Sequence, residues 1–307
     1  LTLKLLLAAP LRLLYELYQG SLAISPAELW QTLRGSDAGL VGSGILELRL
    51  PRALSAFAVG GLLALSGALL QVLLRNPLAD PYVLGISGGA SVAVLLSMLA
   101  GLSTVWLRGN AFFGALLSMI LVFGLSRTGS AWTQSRLLLT GVVIAAGWGA
   151  IISLILAVAP GAQVQGMLFW LLGDLSYATK PALGLTLLVI GLLISLWFAR
   201  PLNLLARGET VAAALGENPT RLRFMVYILS SLLTAVAVTL AGSVGFVGLI
   251  VPHILRLASG SDHRFLLPNC VLLGGSFLVM ADTLARSWVA PMTLPVGVLT
   301  ALLGVPV

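Results

Sequence analysis

Few residues in this chain could do chemistry, and most of them stand alone. Asp282 and His253 lie in or beside long apolar runs, where an ionisable group is a functional hypothesis by default: a proton relay, an ion-coupling site or a hydrolytic centre. Asp282 precedes Arg286 by four residues, the favourable order of acid and base on a helix, so a structural ion pair is the preferred reading. An intramembrane hydrolase would want a second carboxylate or a nucleophile–base pair near by, and no clear candidate stands in the sequence. The two lysines, Lys4 and Lys180, do not follow a glycine-rich loop, so there is no P-loop, whose lysine must reach the phosphates. The segment GSDAGLVGSG (35–44) carries four glycines without the strand–turn–helix pattern of a dinucleotide fingerprint, and reads as a plain extracytoplasmic loop. Neither H-E-x-x-H nor G-x-S-x-G occurs. Cys270 is the only cysteine, and His253 and His263 are the only histidines, so no intrachain disulfide and no Cys-based metal site is expected. No cofactor and no bound metal follow from these residues.

The elements around them are apolar. Of 307 residues, 59% are hydrophobic and 9% charged, against about 25% charged in a soluble domain. Such a chain cannot cover a water-facing surface and must lie in a lipid bilayer. Its apolar runs are long and continuous, not alternating over about 10 residues as barrel strands do, which predicts an all-α polytopic protein. The spacing predicts about ten spans: 1–19, 52–74, 83–105, 109–126, 138–159, 182–199, 224–242, 244–258, 268–288 and 294–307, forming one transmembrane domain over 1–307. The eighth and tenth are short. About 14 residues at 1.5 Å each reach only about 21 Å of a roughly 30 Å hydrocarbon core, so the eighth is expected to be a partial helix buried in protein. The net charge of +7 does not indicate nucleic acid, because the arginines are scattered singly with no dense basic face.

Orientation follows from Lys and Arg. With the N-terminus inside, most of them fall inside, and Arg34, Arg49, Arg52, Arg108, Lys180 and Arg286 fall outside. Arg49, Arg52 and Arg286 oppose the trend at helix ends. In LRLPRALSAF (48–57) Pro51 suits a first helical turn and places Arg49 and Arg52 at the outer mouth of the second span; interfacial snorkelling accounts for them equally well on sequence grounds. Small residues mark close helix packing: Gly60, Ala64, Gly67 and Ala68 in the second span, Gly85 and Gly89 in the third, Gly141, Ala145 and Gly149 in the fifth. The longest polar interval of the second half is RGETVAAALGENPTRLR (207–223). An Ala run is the best helix former, and Gly216, Asn218 and Pro219 break it so that a second helix can turn away.

Six ordered segments, RLPR, SGALLQVLLRNPLADPYVLGISGGAS, SRLLLTGV, GFVGLIVPHILRL, SDHRFLLP and LPVGVLTALLGVP, resemble the permease subunits of ABC importers for iron–siderophore complexes, haem and vitamin B12, the FecCD/BtuC type. The resemblance implies ten helices per subunit and a homodimer with the substrate path between the copies. It implies two cytoplasmic ABC ATPase subunits below and a periplasmic substrate-binding protein above. It makes 203–223 the coupling helices that sit in a groove of the ATPase, with Glu209, Ala212, Ala213, Ala214 and Gly216 matching the E-A-A…G pattern. It assigns Arg49, Arg52 and Arg286 to docking of the binding protein, and Asn76, Leu78, Gln134 and Ser135 to the cytoplasmic gate.

The reading is therefore the membrane subunit of an ATP-driven importer, multi-pass in the bacterial inner membrane, doing no bond chemistry while separate ATPases hydrolyse ATP. Haem or a ferric siderophore is the expected cargo, with cobalamin possible; the scarcity of His and Cys suits passage of an already chelated metal. The alternatives are a secondary transporter driven by an ion gradient, which would need a buried coupling carboxylate with Asp282 as its candidate, and an intramembrane enzyme.

Overall fold

The computed structural model describes residues 2–18, 42, 44–127, 133–176, 180–289 and 292–306. Arg34 and nearly all of the 35–44 loop lie outside the described residues. The described residues form thirteen α-helices and no strand. In chain order these are α1 (Thr2–Tyr18), α2 (Leu50–Leu73) with a π-helical turn (Gly44–Arg49) leading into it, α3 (Ile86–Leu99) after a 3-10 turn (Pro81–Leu84), α4 (Thr104–Ser126), α5 (Gln134–Val158), α6 (Gly161–Leu171), α7 (Pro181–Trp197), α8 (Ala199–Arg207), α9 (Glu209–Ala214), α10 (Pro219–Ala241), α11 (Val247–Ser259), α12 (His263–Ser287) and α13 (Val296–Gly304).

Among the described residues, five stretches are long and apolar enough to cross a membrane: 44–73, 104–126, 134–158, 219–241 and 263–287. α7 and α8, bent by 59°, make a sixth. Every expected apolar run is helical, but several edges move. The third run is split by Gly85, whose φ of 71° ends the 3-10 turn and leaves a 14-residue α3. α6 falls between expected spans and was not foreseen; Pro160 at its N-cap starts a new helix directly after α5. α11 has 13 residues, about 20 Å, and is the partial helix expected for the eighth run.

α2 is the axis of the bundle. Almost nine-tenths of its apolar window is buried, against α12, α10, α11 and α7. The sequence has no charge on α2 after Arg52, so nothing opposes burial on all sides. Its approach to α12 is set by glycine. A Cβ on Gly60 would stand 2.2 Å from the carbonyl oxygen of Gly274, so the two backbones cross at a distance that no other residue permits. α5 is the opposite case, with only 11% of its window buried within the chain.

Non-helical backbone inside a bilayer is tolerated only where protein satisfies it, and here two breaks satisfy each other. Asp80 caps the 3-10 turn by accepting from the Tyr82 amide at 2.8 Å. The Val244 amide, in the turn between α10 and α11, donates to the Tyr82 hydroxyl at 2.9 Å. Ser87 and Ser243 join at 2.8 Å, and Phe246 starts α11 in the left-handed region at φ 69°. The segments RNPLADPYVLG and GSVGFVG are thus two halves of one knot.

Candidate functional site

The chain carries polar constellations at its two ends. With the orientation expected from Lys and Arg, the start of α2 and the end of α12 form the outer end. There Arg52, one turn into α2 behind Pro51, reaches Asp282 on α12. Its Nε donates to Oδ2 and its Nη2 to Oδ1, both at 2.8 Å. Arg286 Nε lies 3.2 Å from Oδ2 of the same carboxylate. The Asp282 side chain is fully buried, while Arg52 and Arg286 keep 18% and 17% of theirs exposed. Arg49 closes the π-helical turn that leads into α2. Two of the three arginines singled out in the sequence, Arg52 and Arg286, therefore converge on one carboxylate. The Asp282–Arg286 pair is present as expected; Arg52 as its second partner was not foreseen, being 230 residues away. A carboxylate held by two guanidiniums from two helices is a fixed counter-ion.

At the inner end, α8 bends away from α7 and buries Ala199, Leu202 and Leu205. It is fastened to the start of α12: Asn203 Nδ2 donates to Asp262 Oδ1 at 2.8 Å, and Asn203 Oδ1 accepts from the His263 amide at 3.0 Å. The Asn203 amide, then the Arg264 amide, hold the exposed Asp262 carboxyl below the usual carboxylate range. α9 follows across Gly208. Glu209 pairs with Arg223 of α10 at 3.0 Å. Ala212 is buried, while Ala213, Ala214 and Leu215 face outward. Gly216, at φ 88°, is left-handed as a helix-ending residue must be, and the Glu217 amide closes the turn on the Ala212 carbonyl at 3.0 Å. The sequence expects the second short helix after Gly216. The structure puts it before α9, as α8, because Pro219, capped by Asn218, already opens the long α10.

The four residues expected at the gate lie at this same end. Asn76 Oδ1 accepts from the exposed Leu78 amide at 2.9 Å, just past the end of α2. Gln134 and Ser135 open α5, whose N-cap Thr133 accepts from the Arg136 amide at 3.3 Å. α5 packs on the 3-10 turn, where a Cβ on Gly141 would stand 2.7 Å from the Val83 carbonyl, so the two pairs are linked through that turn. Sequence reasoning also missed Gln71 of α2, which hydrogen-bonds Arg256 of α11; a lone Gln in an apolar run was the available signal. Among the described residues no group of three or more metal-binding side chains occurs.

Comparison with known proteins agrees with this layout. The profile of the FecCD transport family matches residues 6–307. The chain is 40% identical over 295 residues to the hemin transport system permease protein HmuU of Yersinia pestis, covering 94% of this chain and 87% of that one. It is 38% identical over 303 residues to the vitamin B12 import system permease protein BtuC of Escherichia coli, covering 97% and 90%. A solved structure described as a metal-chelate type ABC transporter in an inward-facing conformation superposes with a TM-score of 0.86 at 30% identity, over 99% of this chain and 95% of that one.

Proposed function

Since the chain belongs to the FecCD transport family and is a multi-pass permease subunit of an ABC importer, we propose that it carries a metal chelate, haem or a ferric siderophore, across the bacterial inner membrane as a homodimer. ATP is hydrolysed by separate ATPase subunits, two of which attach at the inner end. A periplasmic substrate-binding protein docks at the outer end.

The observation that carries this reading is the division of labour along the bundle. At one end two guanidiniums meet on one buried carboxylate, and at the other a small-sided wet helix, α9, projects. α8 and α9 are the coupling helices, with Glu209 and Ala212 setting the posture of α9 and Ala213, Ala214 and Gly216 presenting it to the ATPase. Arg49, Arg52 and Arg286 receive carboxylates of the binding protein, a contact that governs orientation and encounter rate more than affinity. The homodimer is supported by α5. Its outward residues Val142, Ala146, Gly147, Gly149 and Ala150 are small or apolar and unburied in the single chain, and a Cβ at Gly147 or Gly149 would meet nothing within 4 Å. A path between two such faces has largely apolar walls and no tight ligands, so a bulky chelate can leave. Asn76, Leu78, Gln134 and Ser135 close it at the inner end.

The test is reconstitution of the permease with its ATPase and binding protein in proteoliposomes. ATP-dependent uptake of hemin or a ferric siderophore is expected. Uptake of cobalamin alone would reassign the cargo, and uptake without the ATPase would overturn the importer mechanism.

A further inference from the structure

Arg52 has five N–H donors, and the structure commits its side edge, Nε and Nη2, to the Asp282 carboxylate at 2.8 Å on both bonds. Its Nη1 donates to Ser176 Oγ at 3.3 Å. Ser176 lies in the loop after α6 and is itself fixed by its amide, which donates to Asp174 Oδ1 at 2.7 Å. Arg286 leans on Asp282 from the next turn of α12. One carboxylate with no exposed surface thus holds two arginines from two helices, and a third anchor comes from an outer loop. Stability does not call for this arrangement. A buried ion cluster is commonly no better than apolar side chains of the same volume, and α2 and α12 are already fitted together at Gly60 and Gly274. In addition, Asp282 adds a negative charge to a surface read as a receiver of carboxylates.

We propose that Asp282 is a positioning residue for docking: it fixes Arg52 and Arg286 in the poses that the binding protein's carboxylates meet, giving up attractive charge to gain pre-organisation. Long flexible side chains lose rotamer freedom when a partner arrives, and holding them beforehand removes that cost from association. The proposal rests on the docking role given above to Arg49, Arg52 and Arg286.

The sign of one substitution decides the matter. Asp282→Asn keeps the side-chain shape and an acceptor but makes the outer end more positive. If the arginines act through charge alone, an acidic partner should associate faster at low salt. Positioning gives the opposite result, association about tenfold slower at low and high salt alike. The measurement is the association rate of the cognate binding protein, identified as the one that stimulates ATP hydrolysis, with the permease–ATPase complex in nanodiscs; retention of the ATPase reports an intact fold. A rate equal to or above that of the native complex overturns the proposal. Arg49→Gln, which leaves the Asp282 cluster chemically intact, tests the docking reading separately: an unchanged rate there sinks that reading. If the Asp282→Asn complex does not assemble, Ser176→Ala removes the outer anchor from an exposed loop. About threefold slower association is then expected from the loss of one hydrogen bond, and an unchanged rate overturns the proposal.

Discussion

The two ends of this permease carry charge in opposite ways. At the outer end the ions are sunk into the contact between α2 and α12, each fixed by another, on helices whose backbones cross at glycine. At the inner end α9 hangs between Gly208 and Gly216, both at positive φ, and its inter-helix ion pair, Glu209–Arg223, leaves the Glu209 side chain 39% exposed. The outer end is built to hold a geometry. On the proposed reading the inner end is the one that is pushed, and α9, a six-residue helix between two glycines at positive φ, is the element that would turn. On the proposed reading, the docking surface is held by a buried ion cluster and the coupling surface is a short helix between two glycines.

Substitutions can break that contrast in descending order of effect. Gly60→Leu would drive a side chain into the Gly274 carbonyl and force α2 from α12. We expect a loss of about 3 kcal/mol or more, seen as failure to recover a monodisperse permease. Arg49→Glu should slow docking by tenfold or more while the ATPase stays attached, measured by binding-protein association; a native rate would remove Arg49 from the docking set. Arg52→Glu is a poorer probe, because it sets a second carboxylate against buried Asp282, at a cost of about 3–5 kcal/mol. Ala213→Trp acts only on the inner end. Ala213 is exposed, so the fold should persist while ATP hydrolysis continues with transport reduced several-fold. Normal coupling would show that α9 does not seat through this residue. The smallest effect concerns the fastening of α8. The Asp262 carboxyl is held below its ordinary pKa of about 3.9. Its stabilisation is therefore fully present above that value and is lost as pH falls through the lower folded one. The difference in melting temperature between the native protein and Asp262→Ala should be full at pH 6 and shrink as the pH falls from about 3.9 through the lower folded value; a difference that does not shrink in acid would contradict it.

Much of this molecule is legible in its sequence because the bilayer imposes a strict code. Composition fixes the solvent and apolar run length places most of the helices, while Lys and Arg supply the orientation from which the two ends are read. The Asp282–Arg286 pair was also readable, since four residues on one helix make neighbours. The E-A-A…G segment showed that a polar helix follows the sixth span. The order of the two short helices did not show, because α8 continues a membrane helix and its start is marked only by a bend of 59°. α6 was hidden because it follows α5 with only Ala159 and Pro160 between them.

What the sequence determined alone was the inventory: a lipid-embedded helical chain with a soluble helix among most of its basic residues at one end, and Arg49, Arg52 and Arg286 set against that trend at the other. What only the tertiary structure decided was how those groups engage. Arg52 and Asp282 are 230 residues apart, and the Tyr82 hydroxyl receives the amide of a residue 162 positions on. Hydropathy reports where a segment lies in the membrane, but it cannot report which segments meet. In this chain the pairing was set by glycine faces that let particular backbones touch, and the ions follow from that contact.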